Sequence, residues 1–474
     1  MIVLGGGLSD LKDERVRRLR PTVFFPNLDD EVKEVLRKTW VLAWPVLIEQ
    51  ALAMISQVAD MAMVGRLGAE AVAAIGLSMQ PFFLLNAIFM GISVGTTALS
   101  ARAAGSKDLE KAGKVIGQSI IVAFFAGLII SYLGYVNSYK IMIYMGAEPS
   151  VRLLGSNYLR AMMPGMLFLF VFSVAAGGLR GSGDTRTPMV VNAVINILHI
   201  FTNYVFIFGK FGFPRLEVVG AGISSSLSRL GAAAALIYVL SKQDNRLFVN
   251  WKKVIKEFDW PLFSSMLRIG LPAAVERILI STGQIVYTRQ VAGLGTGAYA
   301  AHSISLNVES LSYMPGIGFA TAATAMVGQR LGAGDAKGAQ KSAGISLLFA
   351  MAIMGIMGLM FFSFPVMFLR IFTDDPEIIA RATVLLRIVA FTQIPECVGM
   401  VIPGALRGAG DTRITVYITI LGMWMIRLGF TFIFLNYFDM GLVGAWIAMF
   451  LDWTVRSLLY WIRFKSGNWK SIKI

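Results

Sequence analysis

A chain of 474 residues has room for two or three soluble domains, but 56% of this one is hydrophobic, 15% is charged, and its mean hydropathy is +0.67. That balance excludes a soluble multidomain protein: apolar runs of 18 residues or more recur along the chain, each long enough to cross about 30 Å of hydrocarbon as a helix. The net charge of +15 could suit nucleic acid, yet the basic segments lack the interleaved aromatics of a base-stacking surface, and no nucleic-acid partner is expected.

The chain opens without an apolar h-region, so no cleavable signal is expected. Residues 1–38 read as a cytoplasmic segment in which NLDDEVKEVLRK (27–38) makes a surface helix. Asn27 would cap it, Asp29, Asp30 and Glu31 would fill its positive end, and Val32, Val35 and Leu36 would form its apolar stripe. Twelve spans follow, at 39–65, 76–100, 115–136, 157–179, 188–209, 218–240, 268–292, 298–327, 342–364, 384–406, 414–435 and 442–463. They divide into a six-helix bundle over 39–240, a polar linker over 241–267, a second bundle over 268–463, and a basic tail over 464–474. With both termini on one side, that side collects most of the 43 lysines and arginines, which places it in the cytoplasm. The single cysteine, Cys397, sits within a span as a small buried side chain and leaves no internal disulfide or cysteine-based zinc site.

The two halves are copies. LRGSGDTR (179–186) recurs as LRGAGDTR (406–413), and the same offset of 227 carries Pro45, Glu49, Gln57, Gly68, Gly105 and Asp108 onto Pro272, Glu276, Gln284, Gly295, Gly332 and Asp335. Shared hydrophobicity cannot place matching Pro, Glu, Gln and Asp in register, so the chain is an internal duplication. Six spans per copy give both the same orientation. The expected fold is therefore all-α: twelve transmembrane helices in two parallel six-helix repeats around a central cavity, an architecture of alternating-access carriers. Each octapeptide joins the fourth and fifth spans of its bundle. Its glycines permit a tight turn, its Asp and Thr can cap the next helix, and its arginines are expected at the headgroup level. A structural turn is preferred over a gating latch, and the GxxxxGK[ST] pattern of a nucleotide loop is absent. GLGTGA (293–298) follows no strand and is discounted.

Ionisable groups inside spans are costly, so each needs a reason. The acids are Glu49, Asp60, Glu276, Glu309, Glu396 and Asp452. Glu49, Ser56 and Asp60 share one face of the first span, with the two carboxylates about 16 Å apart along the helix, too far to share a proton. In the fifth span Asn192, Asn196, His199 and Asn203 form one polar stripe that must face protein or water. The bland alternatives are a solvated helix-end Asp60, and hydrogen bonding between helices for the stripe. His199 is either a proton relay or a packed hydrogen-bonding residue.

The opening PVLIEQ…SQVADMAMVGRLG, the duplicated LRG(S/A)GDTR, MPGIGFATAATAMVGQRLGAGD (314–335) and MGLVGAWIAMFLDWTVRSLLYWIRFKSGNW (440–469) together resemble the multidrug and toxic compound extrusion (MATE) family over residues 39–470. The resemblance implies a twelve-helix efflux carrier, not an enzyme, driven by inward H⁺ or Na⁺ and exporting mostly cationic organic compounds. In one branch of the family an aspartate fifteen residues after the first-span proline works with polar groups of the fifth span, and Asp60 stands at that distance from Pro45. That branch carries a second aspartate where this chain has Asn203, which leaves Asp60 as the acid. The other branch couples through the second bundle, where Glu396 matches its tenth-span acid. Glu276 lies a turn from the family's seventh-span acid and pairs with Arg277 or a neighbouring helix; Glu309 would line the same cavity. Asp452 is expected to pair with Arg427 or Arg456.

The candidate coupling and substrate residues are thus Glu49, Gln57, Asp60, Asn192, Asn196, His199, Asn203, Glu276, Gln284, Glu309, Glu396 and Asp452, with Asp60 or Glu396 as the place for Na⁺ if Na⁺ is the ion. No cofactor or further metal is expected. The partners are the bilayer and small cationic substrates, the expected state is a monomer, and the setting is the plasma membrane (the inner membrane in a bacterium). The rival reading is a lipid-linked saccharide flippase of the wider superfamily, which would line its cavity with several cations. An enzyme would need a convergent catalytic set, and His199 and His302 lie in different bundles.

Overall fold

A computed structural model describes residues 30–243, 247–472 and 474, except for the side chains of Phe83, Leu84 and Ile88. Among the described residues there are twelve long helices: α1 (Asp30–Gly65), α2 (Ala69–Gly105), α3 (Leu109–Tyr144), α4 (Pro149–Gly181), α5 (Arg186–Phe208) and α6 (Glu217–Ser241), then α7 (Trp260–Ala292), α8 (Thr296–Gly332), α9 (Ala336–Ser363), α10 (Pro376–Ala409), α11 (413–436) and α12 (Gly441–Ser466). Among the described residues there is no strand. Eleven of the twelve are long and apolar enough to cross a membrane by composition alone. The exception is α8, which carries His302, Glu309, Asn307 and four serines over 302–312 and is nevertheless 37 residues long.

The duplication extends to the turns. Gly68 and Gly295, 227 residues apart, precede α2 and α8 with φ of 109° and 100°, a region that favours glycine. Asp108 accepts from Lys111 N to cap α3, and its counterpart Asp335 accepts from Gly338 N to cap α9. Capping oxygens satisfy the orphan amides of a first turn, so these helices start at matching places in both halves.

Three features depart from or add to what the sequence predicts. The segment before the first span is not a separate surface helix. No Gly or Pro interrupts 31–44, Thr39 Oγ1 bonds back to Val35 O at 2.9 Å, and the helix runs unbroken from Asp30 to Gly65. Val35, Leu42 and Ala43 are buried with Phe319, Ala322 and Ala343 of the second bundle, so the stripe is covered by protein. (Asn27 and Asp29 lie outside the described residues.) Second, α7 begins at Trp260, capped by Asp259, inside the stretch assigned to the linker, which also holds a short helix Trp251–Lys256. Third, α11 is a π-helix over Ile420–Leu428, whereas α5 is α-helical throughout.

The bundles meet through the repeat-related contacts α1 on α8 and α2 on α7, and through α2 against α8. Gly91 and Gly270 let backbones touch there, because a Cβ on either would collide with the other's carbonyl oxygen. Side-chain hydrogen bonds between the bundles among the described residues lie toward the end that carries the octapeptides and linker. They include Lys114 to Asp259, Ser119 to Met266 and Lys341 to Glu31. Toward the opposite end Ile55, Val58 and Met61 of α1 and Ile285 of α7 are exposed.

Candidate functional site

The polar faces predicted for the first and fifth spans meet, since α1 packs on α5. They form two clusters. Deeper toward the octapeptide end, both Glu49 oxygens accept from Arg180 Nη2 at 2.6 Å, Asn192 Nδ2 donates to Glu49 Oε1 at 2.9 Å, and Asn196 Nδ2 donates to Asn192 Oδ1 at 3.0 Å. Three turns further along α1, Asn203 Nδ2 donates to Asp60 Oδ1 at 2.7 Å, and His199 Nε2 lies 3.1 Å from Asp60 Oδ2. The other ring nitrogen, Nδ1, is 3.3 Å from both Ser224 Oγ and Ser228 Oγ of α6. With the proton on Nε2 serving the carboxylate, the single lone pair of Nδ1 accepts from one serine hydroxyl, while Ser224 Oγ also lies 2.7 Å from Thr202 Oγ1 and 3.2 Å from His199 O. Asp60 remains partly accessible, its side chain 36% exposed, whereas Glu49 is buried and clamped. Gln57 is exposed and joins neither cluster by a hydrogen bond among the described residues.

The second bundle repeats the first cluster and not the second. Glu276 Oε1 accepts from Arg407 Nη2 at 2.9 Å, and Oε2 accepts from Thr415 Oγ1 at 2.7 Å, so the partner of Glu276 is the arginine of the neighbouring helix and not Arg277. Glu49 with Arg180 and Glu276 with Arg407 are the same pair, displaced by 227 residues. This corrects the placement of the octapeptide arginines: Arg180 and Arg407 turn inward to buried acids, because an uncompensated carboxylate there would cost far more than a headgroup contact returns. Asp184 caps the next helix as the sequence suggests, accepting from Thr187 N at 3.0 Å.

Asp452 pairs with both expected arginines: Oδ2 accepts from Arg427 Nε at 2.8 Å and from Arg456 Nη2 at 2.5 Å, and Gln284 Oε1 accepts from Arg427 Nη1 at 3.4 Å. Glu309 and Glu396 are buried near this cluster, without an ion pair within 4 Å among the described residues. Glu396 Oε2 has no hydrogen-bond partner among them. His302 is buried between Tyr287 and Trp446, 5.6 Å from each ring.

Sequence reasoning missed Arg180 and Arg407 as site residues, and Ser224 and Ser228 as the partners of His199. The first pair was signalled by joint duplication of Glu49 with Arg180; the second by the run SSSLS in α6.

Two parallel six-helix repeats with acids buried between their helices define a polytopic membrane transporter. The MatE family model matches residues 45–205 and again 272–433, one stretch in each repeat, and the chain belongs to that family, the MATE efflux transporters. A probable multidrug resistance protein NorM of Thermotoga maritima is 35% identical over 445 residues, covering 93% of this chain and 94% of that one. The uncharacterized transporter YisQ of Bacillus subtilis is 29% identical, covering 90% and 94%. Among solved structures, an outward-facing multidrug resistance MATE family transporter superposes with a TM-score of 0.84 at 23% identity, over 93% of this chain and 99% of that chain. A MOP superfamily transporter from Pyrococcus furiosus does so with the same TM-score and identity, over 93% and 98%.

Proposed function

We propose that the protein is a secondary active exporter of cationic organic compounds, driven by inward movement of H⁺, with Asp60 as the acid that exchanges. The observation that carries this is the ring of partners around Asp60: both oxygens face N–H groups, from Asn203 and His199, and the carboxylate has no arginine ion pair among the described residues. Na⁺ binds through oxygen ligands, and the two side-chain atoms bonded to the carboxylate are nitrogens, from Asn203 and His199. A proton needs only the carboxylate and a relay, which His199 and its serines provide. A cationic substrate and a proton stabilise opposite protonation states of one acid, so arrival of one favours departure of the other.

The packing supports an alternating-access cycle. With the octapeptide end cytoplasmic, the side the charge distribution favours, the bundles would be closed toward the cytoplasm and Asp60 would lie toward the outer side, where α1 is exposed. In a bacterium this is the inner membrane. The flippase reading is disfavoured because Arg180, Arg407, Arg427 and Arg456 are each tied to an acid, which leaves Arg229 and Arg277 as the expected cavity cations without an ion pair within 4 Å among the described residues.

The test is efflux of a fluorescent cation from proteoliposomes under separate pH and Na⁺ gradients. Wild type should respond to the pH gradient and Asp60→Asn should not. Efflux by Asp60→Asn at the wild-type rate sinks the assignment. Failure of wild type to move any cation under either gradient brings the flippase forward.

A further inference from the structure

We infer that Arg427 confines ion exchange to the N-terminal bundle by filling the corresponding place in the C-terminal bundle with a charge that cannot leave. This rests on the reading of Asp60 as the exchanging acid. The offset of 227 puts Tyr287 where Asp60 stands and Gln284 where Gln57 stands. The Arg427 guanidinium lies 5.7 Å from the Tyr287 ring centre and donates to Gln284 Oε1 and to Asp452 Oδ2. It therefore occupies the region that His199 occupies beside Asp60.

By number, His199 corresponds to Ile426, one residue short of Arg427. The π-helix over 420–428 accounts for the shift. A π turn holds more residues than an α turn, so it advances the inward face along the sequence, and such segments cluster at functional sites. α5 has no such segment. The local distortion is thus what turns Arg427 from the register of Ile200 into the bundle.

The charges around it form a closed set. One carboxylate, Asp452, is shared by Arg427 and Arg456, whose guanidinium stacks on Trp453 at 4.1 Å; that trio carries a net positive charge. Facing it are Glu309 and His302 on α8 and Glu396 on α10; Arg427 acts electrostatically on all three and Arg456 on Glu396. Arginine does not deprotonate in proteins, so this counter-charge to Glu309 and Glu396 is permanent. In the N-terminal bundle the residue in contact with the acid is His199 and not an arginine; Arg229, the counterpart of Arg456 at the offset of 227, acts on Asp60 from α6 without an ion pair within 4 Å among the described residues.

The experiment compares wild type, Arg427→Lys and Arg427→Met, purified in detergent, by melting temperature in NaCl against choline chloride, with Na⁺-driven efflux measured in proteoliposomes. Wild type and Arg427→Lys should melt alike in the two salts. Arg427→Met should melt lower and regain several degrees in NaCl, because the vacated acids take a mobile cation; its efflux should acquire a Na⁺ dependence that wild type lacks. Indifference of Arg427→Met to Na⁺ in both measurements overturns the inference. If that variant fails to fold, wild type still decides: Na⁺ stabilisation of wild type that Glu396→Gln removes overturns it, and its absence supports it. The Na⁺ melting comparison does not involve Asp60, so an active Asp60→Asn would sink the proposed function without mimicking either result.

Discussion

Arg102 and Gln329 stand 227 residues apart, and each reaches the octapeptide of the opposite bundle. Arg102 Nη2 donates to Ala409 O at 3.1 Å and to Ile472 O at 3.0 Å, and Gln329 Nε2 donates to Gly181 O at 2.7 Å. The duplicated loops are therefore sockets for each other's bundle as well as turns. On the proposed alternating-access cycle, opening the octapeptide end requires both donors to withdraw. Arg102, with two carbonyl partners and a charge, holds more strongly than Gln329. Arg102→Ala should thus bias the protein toward cytoplasmic opening more than Gln329→Ala. Accessibility of a cysteine introduced at Ser182 to a membrane-impermeant thiol reagent, in inside-out vesicles of a Cys397→Ala background, reads the difference. Equal labelling of both variants would contradict it.

The same crossing depends on two glycines. A Cβ at Gly105 would collide with the backbone of Gln329, and a Cβ at Gly332 with that of Arg102. Backbone cannot swing aside as a flexible side chain can, and overpacking costs about 1–3 kcal/mol. Gly105→Ala and Gly332→Ala should each shift the closed–open balance by roughly 5–150-fold and slow efflux while the protein still reaches the membrane. Wild-type transport by both would show that the ends need not close.

Removing Arg180 leaves Glu49 buried and unpaired, an outcome that typically costs about 3–5 kcal/mol. Arg180→Met should therefore lower the melting temperature strongly, and Glu49→Gln in the same chain should recover part of the loss. Because Glu276 and Arg407 repeat the arrangement, the Arg407→Met series should follow the same order. A double variant no more stable than Arg180→Met would mean that the pair is not coupled.

One pH effect lies outside the membrane. Lys114 Nζ donates to Asp259 Oδ2 at 2.9 Å, and that bond, aided by the Leu262 amide, holds the Asp259 carboxyl below its ordinary value. A carboxyl lowered on folding stabilises above its unfolded pKa of about 3.9, and the contribution fades as pH falls through the lower folded value. The pair is partly exposed, so the effect is under about 1 kcal/mol. Lys114→Met should melt slightly lower than wild type at neutral pH, and the two curves should converge in acid. A constant gap across the range would assign the loss to packing instead.

Much of this was legible because polar residues in an apolar chain are few and their spacing is constrained. Asn192, Asn196, His199 and Asn203 fall on one face by helical period alone, and so do Glu49 and Asp60; cost then forces the two stripes together. The destination of Arg180 was masked despite its joint duplication with Glu49, since an arginine at a span end satisfies the headgroup rule as well as it satisfies Glu49. The π-helix left no mark in hydropathy, because Ile420–Leu428 is apolar apart from Arg427 whichever turn it adopts. The surface helix was misread for a related reason: an apolar stripe shows that something covers it, not whether lipid or α8 does.

The first turns of α1 precede the N-terminal bundle in sequence but sit in the core of the other one, with Val35, Leu42 and Ala43 buried among residues of α8 and α9. Sequence modules and packing modules therefore do not coincide. Two polypeptides made by severing the chain in its linker should copurify as a noncovalent pair, since the first fragment carries apolar surface that only the second can cover. A hybrid that takes its N-terminal half from a relative must take α1 together with the faces of α8 and α9 that enclose it.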